Sequence, residues 1–257
     1  MQTIRAEFHV HTVLSPCAEL EMLPPLIVLE AIERNIGLIA VTDHNATANI
    51  AAVQKAAEGS GLTVLAGMEL QTREDVHVLC LFDRLEQAAS LQQRVDAALP
   101  AMENRPDYFG DQLVVDEHGN FITRENRLLS TSTKLTINQV WRQVERLEGL
   151  MIPAHVDRPV NGLIPTLGMI PDDIPFEALE ISRHLQPKEA YLKYPQMADY
   201  PLVQGGDAHR LEELLGVNQL QVEDLTVAEI RLALAGREGR SLSILNSTIR
   251  GIRSTKP

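Results

Sequence analysis

Six of the eight histidines lie at or near the ends of predicted strands, and three carboxylates join them there. Imidazole and carboxylate are ligands of Zn²⁺, Mn²⁺ and Fe²⁺. His9 and His11 also share a face, because side chains alternate along a strand. One ion cannot use nine such groups, so the pattern predicts a centre of two or three metal ions. The nine residues are His9, His11, Asp43, His44, Glu69, His77, His155, Asp207 and His209.

A centre of several metal ions indicates hydrolysis of phosphate esters. One ion lowers the pKa of a bound water, so that a metal-bound hydroxide forms near neutral pH, while the others hold the phosphoryl oxygens. His209 or a metal-bound water is the expected acid for the leaving group. Asp43 is expected to orient His44 or a bound water, with a helix N-cap as the alternative. The sequence has no phosphate-binding loop, nucleophile elbow or His-Glu-x-x-His pair.

The elements that must position these residues are short strands alternating with helices. This alternation predicts an α/β fold with a parallel sheet, whose carboxyl-end loops would hold the site if it closed into a barrel. The strands are predicted at residues 4–11, 37–45, 62–70, 75–82, 150–157, 176–182 and 200–209.

Residues 84–149 interrupt the alternation with two helices and a β-hairpin around His118, and we predict an insertion there. The domain is expected to span residues 1–245, and residues 246–257 are expected to form a flexible tail.

Composition narrows the class of protein. The chain has 257 residues and a net charge of −12, which disfavours binding to extended nucleic acid. Only two cysteines are present, the first residues have no signal-peptide pattern, and no apolar run is long enough for a membrane span. We therefore expect a cytoplasmic protein without a membrane partner; the oligomeric state is not predicted.

The motifs come in the order found in the PHP (polymerase and histidinol phosphatase) family, which the chain resembles from residue 3 to about residue 240. The resemblance rests on "HVHT" at His9, "TDHN" at His44, Glu69, His77, "AH" at His155 and "GDAH" at Asp207. It implies a distorted (β/α)7 barrel with a trinuclear metal site at the C-terminal ends of the strands.

The same resemblance implies how the ligands are shared among the three metals. It assigns His9, His11, Glu69 and Asp207 to the first metal. Glu69 bridges to the second, with His77 and His155. The third is held by His44, His209 and a residue of the loop that follows His11.

That loop departs from the family's commoner Ser-Asp-Gly and has Ser15-Pro16-Cys17 instead. Since other members have a histidine ligand at the matching position and thiolate also binds Zn²⁺ or Fe²⁺, we predict that Cys17 is a ligand of the third metal. The alternative is a small buried residue without a ligand role. Cys80 lies on the strand face opposite to His77, because side chains alternate along a strand, and it is therefore expected in the core.

Three arginines follow predicted strand ends and are candidates for binding phosphate: Arg158, Arg183 and Arg210. The predicted function is metal-dependent hydrolysis of a small phosphorylated substrate, with two or three Zn, Mn or Fe ions. Three alternatives stay open, namely histidinol phosphatase, a nuclease or nucleoside 3′,5′-bisphosphate phosphatase, and a metal-binding regulatory module without turnover.

Overall fold

A curled sheet of seven strands is the centre of the computed structural model, which describes residues 1–245. The predicted flexible tail, residues 246–257, lies outside the described residues. In chain order the strands are β1 (Gln2–Val10), β2 (Leu38–Val41), β3 (Thr63–Gln71), β4 (His77–Phe82), β5 (Leu113–Val115), β6 (Phe121–Arg124), β7 (Leu150–Pro153), β8 (Leu179–Ser182), β9 (Leu202–Gly205), β10 (Asn218–Val222) and β11 (Ser241–Ile244).

Eight helices connect or cover these strands in the described part of the chain. They are α1 (Pro24–Glu33), α2 (Ile50–Ala56), α3 (Leu85–Ala98), α4 (Pro106–Phe109), α5 (Ile137–Arg146), α6 (Leu163–Leu167), α7 (Pro187–Lys193) and α8 (Val227–Ala235). Prolines occupy the first turn of α1, where a missing backbone N–H costs nothing. Thr136 caps α5 and forms a reciprocal capping box with Gln139.

The sheet is mixed, which corrects the prediction of an all-parallel sheet. Its order is β11-β10-β1-β2-β3-β4-β7. The pairs β1–β2 and β2–β3 are parallel, but β4 runs antiparallel to both β3 and β7. A short turn from Gln71 to His77 joins β3 to β4, and a turn of that length joins only antiparallel strands. The strands β10 and β11, which the sequence pattern did not indicate, continue the sheet antiparallel beyond β1.

Two of the predicted strands form a separate parallel pair, β8–β9, which we call the ribbon. The ribbon lies between the β7 and β1 sides of the sheet and is joined to both by a few backbone hydrogen bonds. Val156 N–H donates to the carbonyl of Glu180 on one side, and His11 N–H donates to that of Ala208 on the other. The curled sheet and the ribbon therefore surround a common interior.

That interior is filled by alternate residues of the strands. Phe8, Ala40, Leu79 and Ile152 from the sheet pack in one buried cluster with Val203 from the ribbon and with one face of α8. The opposite faces of the strands, including the buried Cys80, pack under the other helices. Because both faces are covered, strands such as β2 and β7 are continuously apolar.

The predicted insertion contains α3, α4, α5 and the hairpin β5–β6. Its hairpin turns at His118, as predicted. Of the helices in the described residues, none is long and apolar enough to cross a membrane.

Candidate metal centre

The predicted polar residues meet at one edge of the sheet, where β1, β2, β7 and β9 end. His77 reaches this edge differently from the prediction, because it is the first residue of β4 rather than a residue near the carboxyl end of a parallel strand. Since β4 is antiparallel to β3, its beginning lies at the edge where β3 ends. The antiparallel turn therefore brings His77 beside Glu69.

Glu69 is the centre of the cluster. Its carboxylate lies 2.7 Å from Nδ1 of His77, 3.0 Å from Nε2 of His155 and 2.8 Å from Nδ1 of His44. The Nε2 atoms of His9 and His11 each lie 3.3 Å from it. We call these six residues the floor: His9, His11, His44, Glu69, His77 and His155. All of them are buried.

Asp207 supplies a second carboxylate from the segment after β9. Its Oδ1 lies 3.3 Å from Nε2 of both His9 and His11. His209 stacks on His11 with ring centroids 4.0 Å apart, and its Nδ1–H donates to the Asp207 carbonyl. Asp207 also pairs with Arg158. Asp207 and His209, which follow the ribbon, therefore contact histidines that also lie beside Glu69 of the sheet.

Burial and charge act against each other on the floor. Burial would raise the pKa of Glu69, but the neighbouring histidines hold it well below its usual range. Burial lowers the pKa of His77 to about 4, although Glu69 opposes this shift. Glu69 is therefore a carboxylate and His77 a neutral imidazole at neutral pH, and both are in the protonation state that binds metal.

The floor and its neighbours contain buried polar atoms that have no hydrogen-bond partner among the described residues. These atoms include Nε2 of His9, His11 and His209, Oε2 of Glu69 and Oδ1 of Asp207. Buried polar groups are normally satisfied, so several unsatisfied ligand atoms around one point fit metal ions. Three sets have ligand atoms within 4.8 Å of one another: His9–His11–Glu69–Asp207, His11–His44–His209 and His44–Glu69–His77.

Cys17 lies beside the third of the expected sites. Its Sγ is 3.2 Å from Nε2 of His44, and it also interacts with His209. Desolvation would raise the pKa of the thiol, but the His44 charge and the His209 hydrogen bond lower it to about 5. The structure therefore brings together the thiol and the two histidines that the sequence interpretation grouped.

Asp43 supports the loop after β1 rather than His44 or a helix end. Its carboxylate accepts hydrogen bonds from the backbone N–H and hydroxyl of Thr12 and from the hydroxyl of Ser15, all at 2.7 Å. The Ser15 oxygen in turn lies 2.9 Å from Nδ1 of His11. Since the Ser15 hydroxyl donates to Asp43, the His11 Nδ1–H donates to Ser15, which leaves Nε2 of His11 free to face the carboxylates.

A cavity of about 820 Å³ opens above the floor. At its rim are side chains that we call the mouth: Cys17, Arg158, Arg183, His184 and Arg210. All three predicted phosphate-binding arginines thus face the cavity, and each has an acidic partner. Arg183 pairs with Glu213 at 2.9 Å, and Arg210 pairs with Glu19 at 3.1 Å.

The insertion also contributes to the cavity, which the sequence did not indicate. Ser130 lines it. The buried side chain of Asn45 donates to the carbonyls of Leu129 and Thr131 at 2.7 and 2.9 Å and so fixes this segment. The only sequence indication was that Asn45 directly follows His44.

The backbone is strained where it delivers the site residues. Asn45, His155 and Asp207 have φ values of 49°, 29° and 48°, in the left-handed region that non-glycine residues rarely adopt. Such strain is typical of functional sites, where the surrounding structure compensates for it.

Residues 7–146 match the family model of the PHP domain. The chain belongs to the PHP domain family. This match covers the floor as far as His77 and all but the last three residues of the predicted insertion. It places the chain among the metal-dependent hydrolases of phosphate esters and confirms that part of the functional prediction.

Solved structures support the PHP fold over most of the chain. The lesion-specific endonuclease PfuEndoQ from Pyrococcus furiosus has a TM-score of 0.67 and 19% identity, covering 94% of this chain and 58% of the endonuclease. An Endonuclease Q complex with a 27-mer duplex substrate carrying an abasic lesion has a TM-score of 0.71 and 19% identity, covering 93% and 58%.

A putative metal-dependent phosphoesterase from Bifidobacterium adolescentis has a TM-score of 0.54 and 18% identity, covering 80% of this chain and 87% of its own. The chain spans little more than half of the length of the two endonuclease chains. No match was found among curated proteins.

Proposed function

We propose that this PHP protein hydrolyses the phosphate ester of a small phosphorylated molecule, using two or three Zn, Mn or Fe ions at the floor. The observation that carries the proposal is the convergence of unpartnered, buried ligand atoms on Glu69 and Asp207. A regulatory module without turnover would not need a complete ligand set beside an open cavity.

The floor offers donors for three ions. His9, His11, Glu69 and Asp207 would hold the first, Glu69 with His77 and His155 the second, and His44, His209 and Cys17 the third. His44 also lies within reach of the second set, because its Nδ1 is 2.8 Å from Glu69. When bound, the ions would activate a water molecule and neutralise charge on the phosphoryl group.

The other side chains would bind and orient the substrate. Arg158, Arg183 and Arg210 would contact the phosphate from the mouth, exchanging part of their acidic contacts for it. A metal-bound water or His209 is the candidate acid for the leaving group. His209 lines the cavity and Asp207 fixes its ring, but it would serve as the acid only in a two-ion centre, because the third ion would occupy its Nε2. Asp43 would not contact the ions itself; it would hold the Ser15 hydroxyl, which orients the ring of His11.

The expected scaffold for this chemistry is a distorted seven-stranded barrel made of β1–β4, β7 and the ribbon, within one domain of residues 1–245. The backbone contacts of Val156 and His11 with the ribbon support such a closure. The cavity volume of about 820 Å³ lies within the range of small-molecule sites, which supports a small substrate.

A nuclease is the second candidate, with histidinol phosphatase as a narrower form of the first. The arginines at the mouth favour a nuclease, because they would also suit a phosphodiester at the end of a strand. The fold similarity to Endonuclease Q, whose structure holds a 27-mer duplex, favours it too and weakens the expectation that extended nucleic acid is not a partner. Only the net charge of −12 weighs against an extended nucleic-acid surface.

A substrate screen separates the candidates. Purified protein with its metals quantified is incubated with phosphomonoesters, dinucleotides and single- and double-stranded oligonucleotides, with Mn²⁺, Zn²⁺ or Fe²⁺ added. We expect hydrolysis of a monoester that disappears in His9→Ala and persists in His118→Ala, whose histidine is exposed in the hairpin turn. Faster cleavage of oligonucleotides would favour the nuclease. An absence of hydrolysis at full metal occupancy would refute the proposal that the protein hydrolyses a phosphate ester.

A further inference from the structure

Glu180 lies inside β8 and was not indicated by the sequence motifs. Its side chain is buried behind the floor. Its Oε1 lies 2.9 Å from Nδ1 of His9 and accepts the backbone N–H of His155 at 3.0 Å. One carboxylate oxygen therefore touches two of the expected metal-binding residues, which come from different strands.

The contact defines which nitrogen of His9 is available. A carboxylate oxygen that already accepts an N–H can also accept the Nδ1–H of His9, and the lone pair is then on Nε2. Nε2 lies 3.3 Å from both Glu69 and Asp207 and has no hydrogen-bond partner of its own. A carboxylate behind a histidine fixes the tautomer and ring orientation of a metal ligand in this way.

The glycine at position 205 leaves the space that the Glu180 carboxylate occupies. A Cβ at Gly205, on the neighbouring strand of the ribbon, would lie 2.3 Å from Oε2 of Glu180. Oε2 is itself buried without a hydrogen-bond partner in the described chain. A half-satisfied buried carboxylate is unfavourable for stability, so its presence needs a reason outside folding.

We propose that Glu180 is the positioning residue of the metal centre, which fixes the ring of His9 and the backbone of His155 and so sets the affinity for the first and second ions. The inference rests on the proposed metal site. It predicts that Glu180 acts on metal binding before any substrate is present.

Glu7 provides a matched control in the same environment. It is also fully buried beside the floor and lies two residues before His9. Its carboxylate accepts backbone N–H groups of His9, Gly206, Leu215 and Gly216. Glu7 therefore shares with Glu180 a contact to the backbone of a floor residue, but it makes no hydrogen bond to a histidine ring among the described residues. A general effect of removing a buried carboxylate should therefore appear in both positions.

The test uses metal-depleted full-length protein titrated with Mn²⁺ alone, with stoichiometry and Kd measured by calorimetry. We expect Glu180→Gln to keep the wild-type stoichiometry and to weaken at least one site by about 10- to 100-fold. Glu180→Asp, which keeps the charge but withdraws it from His9, should weaken binding similarly. Glu7→Gln should bind Mn²⁺ like the wild type, even if its thermal stability changes.

A second measurement separates positioning from damage to the fold. In protein with ¹⁵N-labelled histidine loaded with Zn²⁺, Glu180→Gln should change the His9 ring resonances and leave those of His118 unchanged. Wild-type Mn²⁺ affinity in Glu180→Gln, full affinity in Glu180→Asp, or equal losses in Glu7→Gln would each overturn the inference.

The same titration distinguishes this inference from the proposed function. Wild-type protein that binds Mn²⁺ but hydrolyses no phosphoester would refute only the function. Wild-type protein that binds no Mn²⁺ would overturn both.

Discussion

The floor and the mouth of the cavity are built in opposite ways. The side chains of the floor are at most 9% exposed, and several of their polar atoms have no protein partner. The mouth arginines Arg158, Arg183 and Arg210 are 41%, 32% and 53% exposed, and each already has an acidic partner. The floor thus offers ligand atoms without a protein partner, whereas the arginines of the mouth are already paired with carboxylates.

This difference separates two kinds of contribution to function. Floor residues are held in place by buried contacts, so a change there should act on metal binding and reach the chemistry through it. At the mouth, the arginines would exchange a protein carboxylate for the phosphate, so a change there should act mainly on substrate binding. A change of Cys17 should act mainly on the third ion. The distinction would fail if a floor variant kept its metal ions and changed only substrate binding, or if a mouth variant lost several ions.

The largest effect is expected for Glu69→Gln, because Glu69 belongs to two of the three ligand sets. The variant should lose at least one bound ion, measured by elemental analysis. Its kcat/KM should fall on the order of 10³-fold, since metal ions supply several kcal/mol of charge stabilisation. A full metal complement together with wild-type turnover would place Glu69 outside the centre.

A smaller effect is expected behind the floor, for Asp43→Asn. The change weakens the link from Asp43 through Ser15 to His11, and Mn²⁺ affinity should fall by about 10- to 100-fold. Asp157→Asn is its matched control, because Asp157 accepts the N–H and hydroxyl of Ser182, both at 2.7 Å, as Asp43 does with Thr12. Both variants should lose about 1–3 kcal/mol of stability. Equal losses of Mn²⁺ affinity would argue against the link to His11.

The smallest effect is expected at the mouth, where Cys17 concerns one ion only. Because the pKa of Cys17 is lowered to about 5, its thiolate is already formed at pH 6. Alkylation of metal-free protein should then vary little between about pH 6 and pH 9, whereas an ordinary thiol gains about tenfold per unit below its pKa. Burial raises the pKa of Cys80, which should stay unlabelled in the folded protein.

Metal should protect Cys17 from the reagent if the thiolate is a ligand, and Cys17→Ala should bind one ion fewer than the wild type. Mass spectrometry of the labelled peptides and metal analysis check both. Rapid labelling of fully loaded protein, with an unchanged metal count in Cys17→Ala, would remove Cys17 from the ligand set.

The fold was predictable where periodicity and spacing decide it. Continuous apolar runs located β2, β4 and β7. Strand direction was not predictable, because a run such as that of β4 looks the same whether its neighbours are parallel or antiparallel. The polar residues of β10, and of the edge strand β11, made their alternation too weak to distinguish them from loops.

The site was predictable where residues of metal-binding type follow strands, as for His11, His44 and Asp207. Glu180 and Glu7 were missed because they lie within strands, where an acidic residue usually faces solvent. Alternation did carry a usable indication for Glu7, since it shares a strand face with His9 and His11. The contacts of Asn45 with the insertion depend on packing between distant segments, which no local pattern encodes.

The separation of the ribbon from the main sheet has a consequence for local unfolding. The ribbon shares no strand ladder with the main sheet and is held to it by a few backbone and side-chain hydrogen bonds, such as that between Gln204 and Asn218. We therefore expect it to be the part of the site that opens first in local unfolding. His9 and Glu69 belong to the sheet, whereas Asp207 follows the ribbon. An ion shared by these residues would be a cross-link between two cooperative units, and its dissociation and the opening of the ribbon would become one event in amide hydrogen exchange.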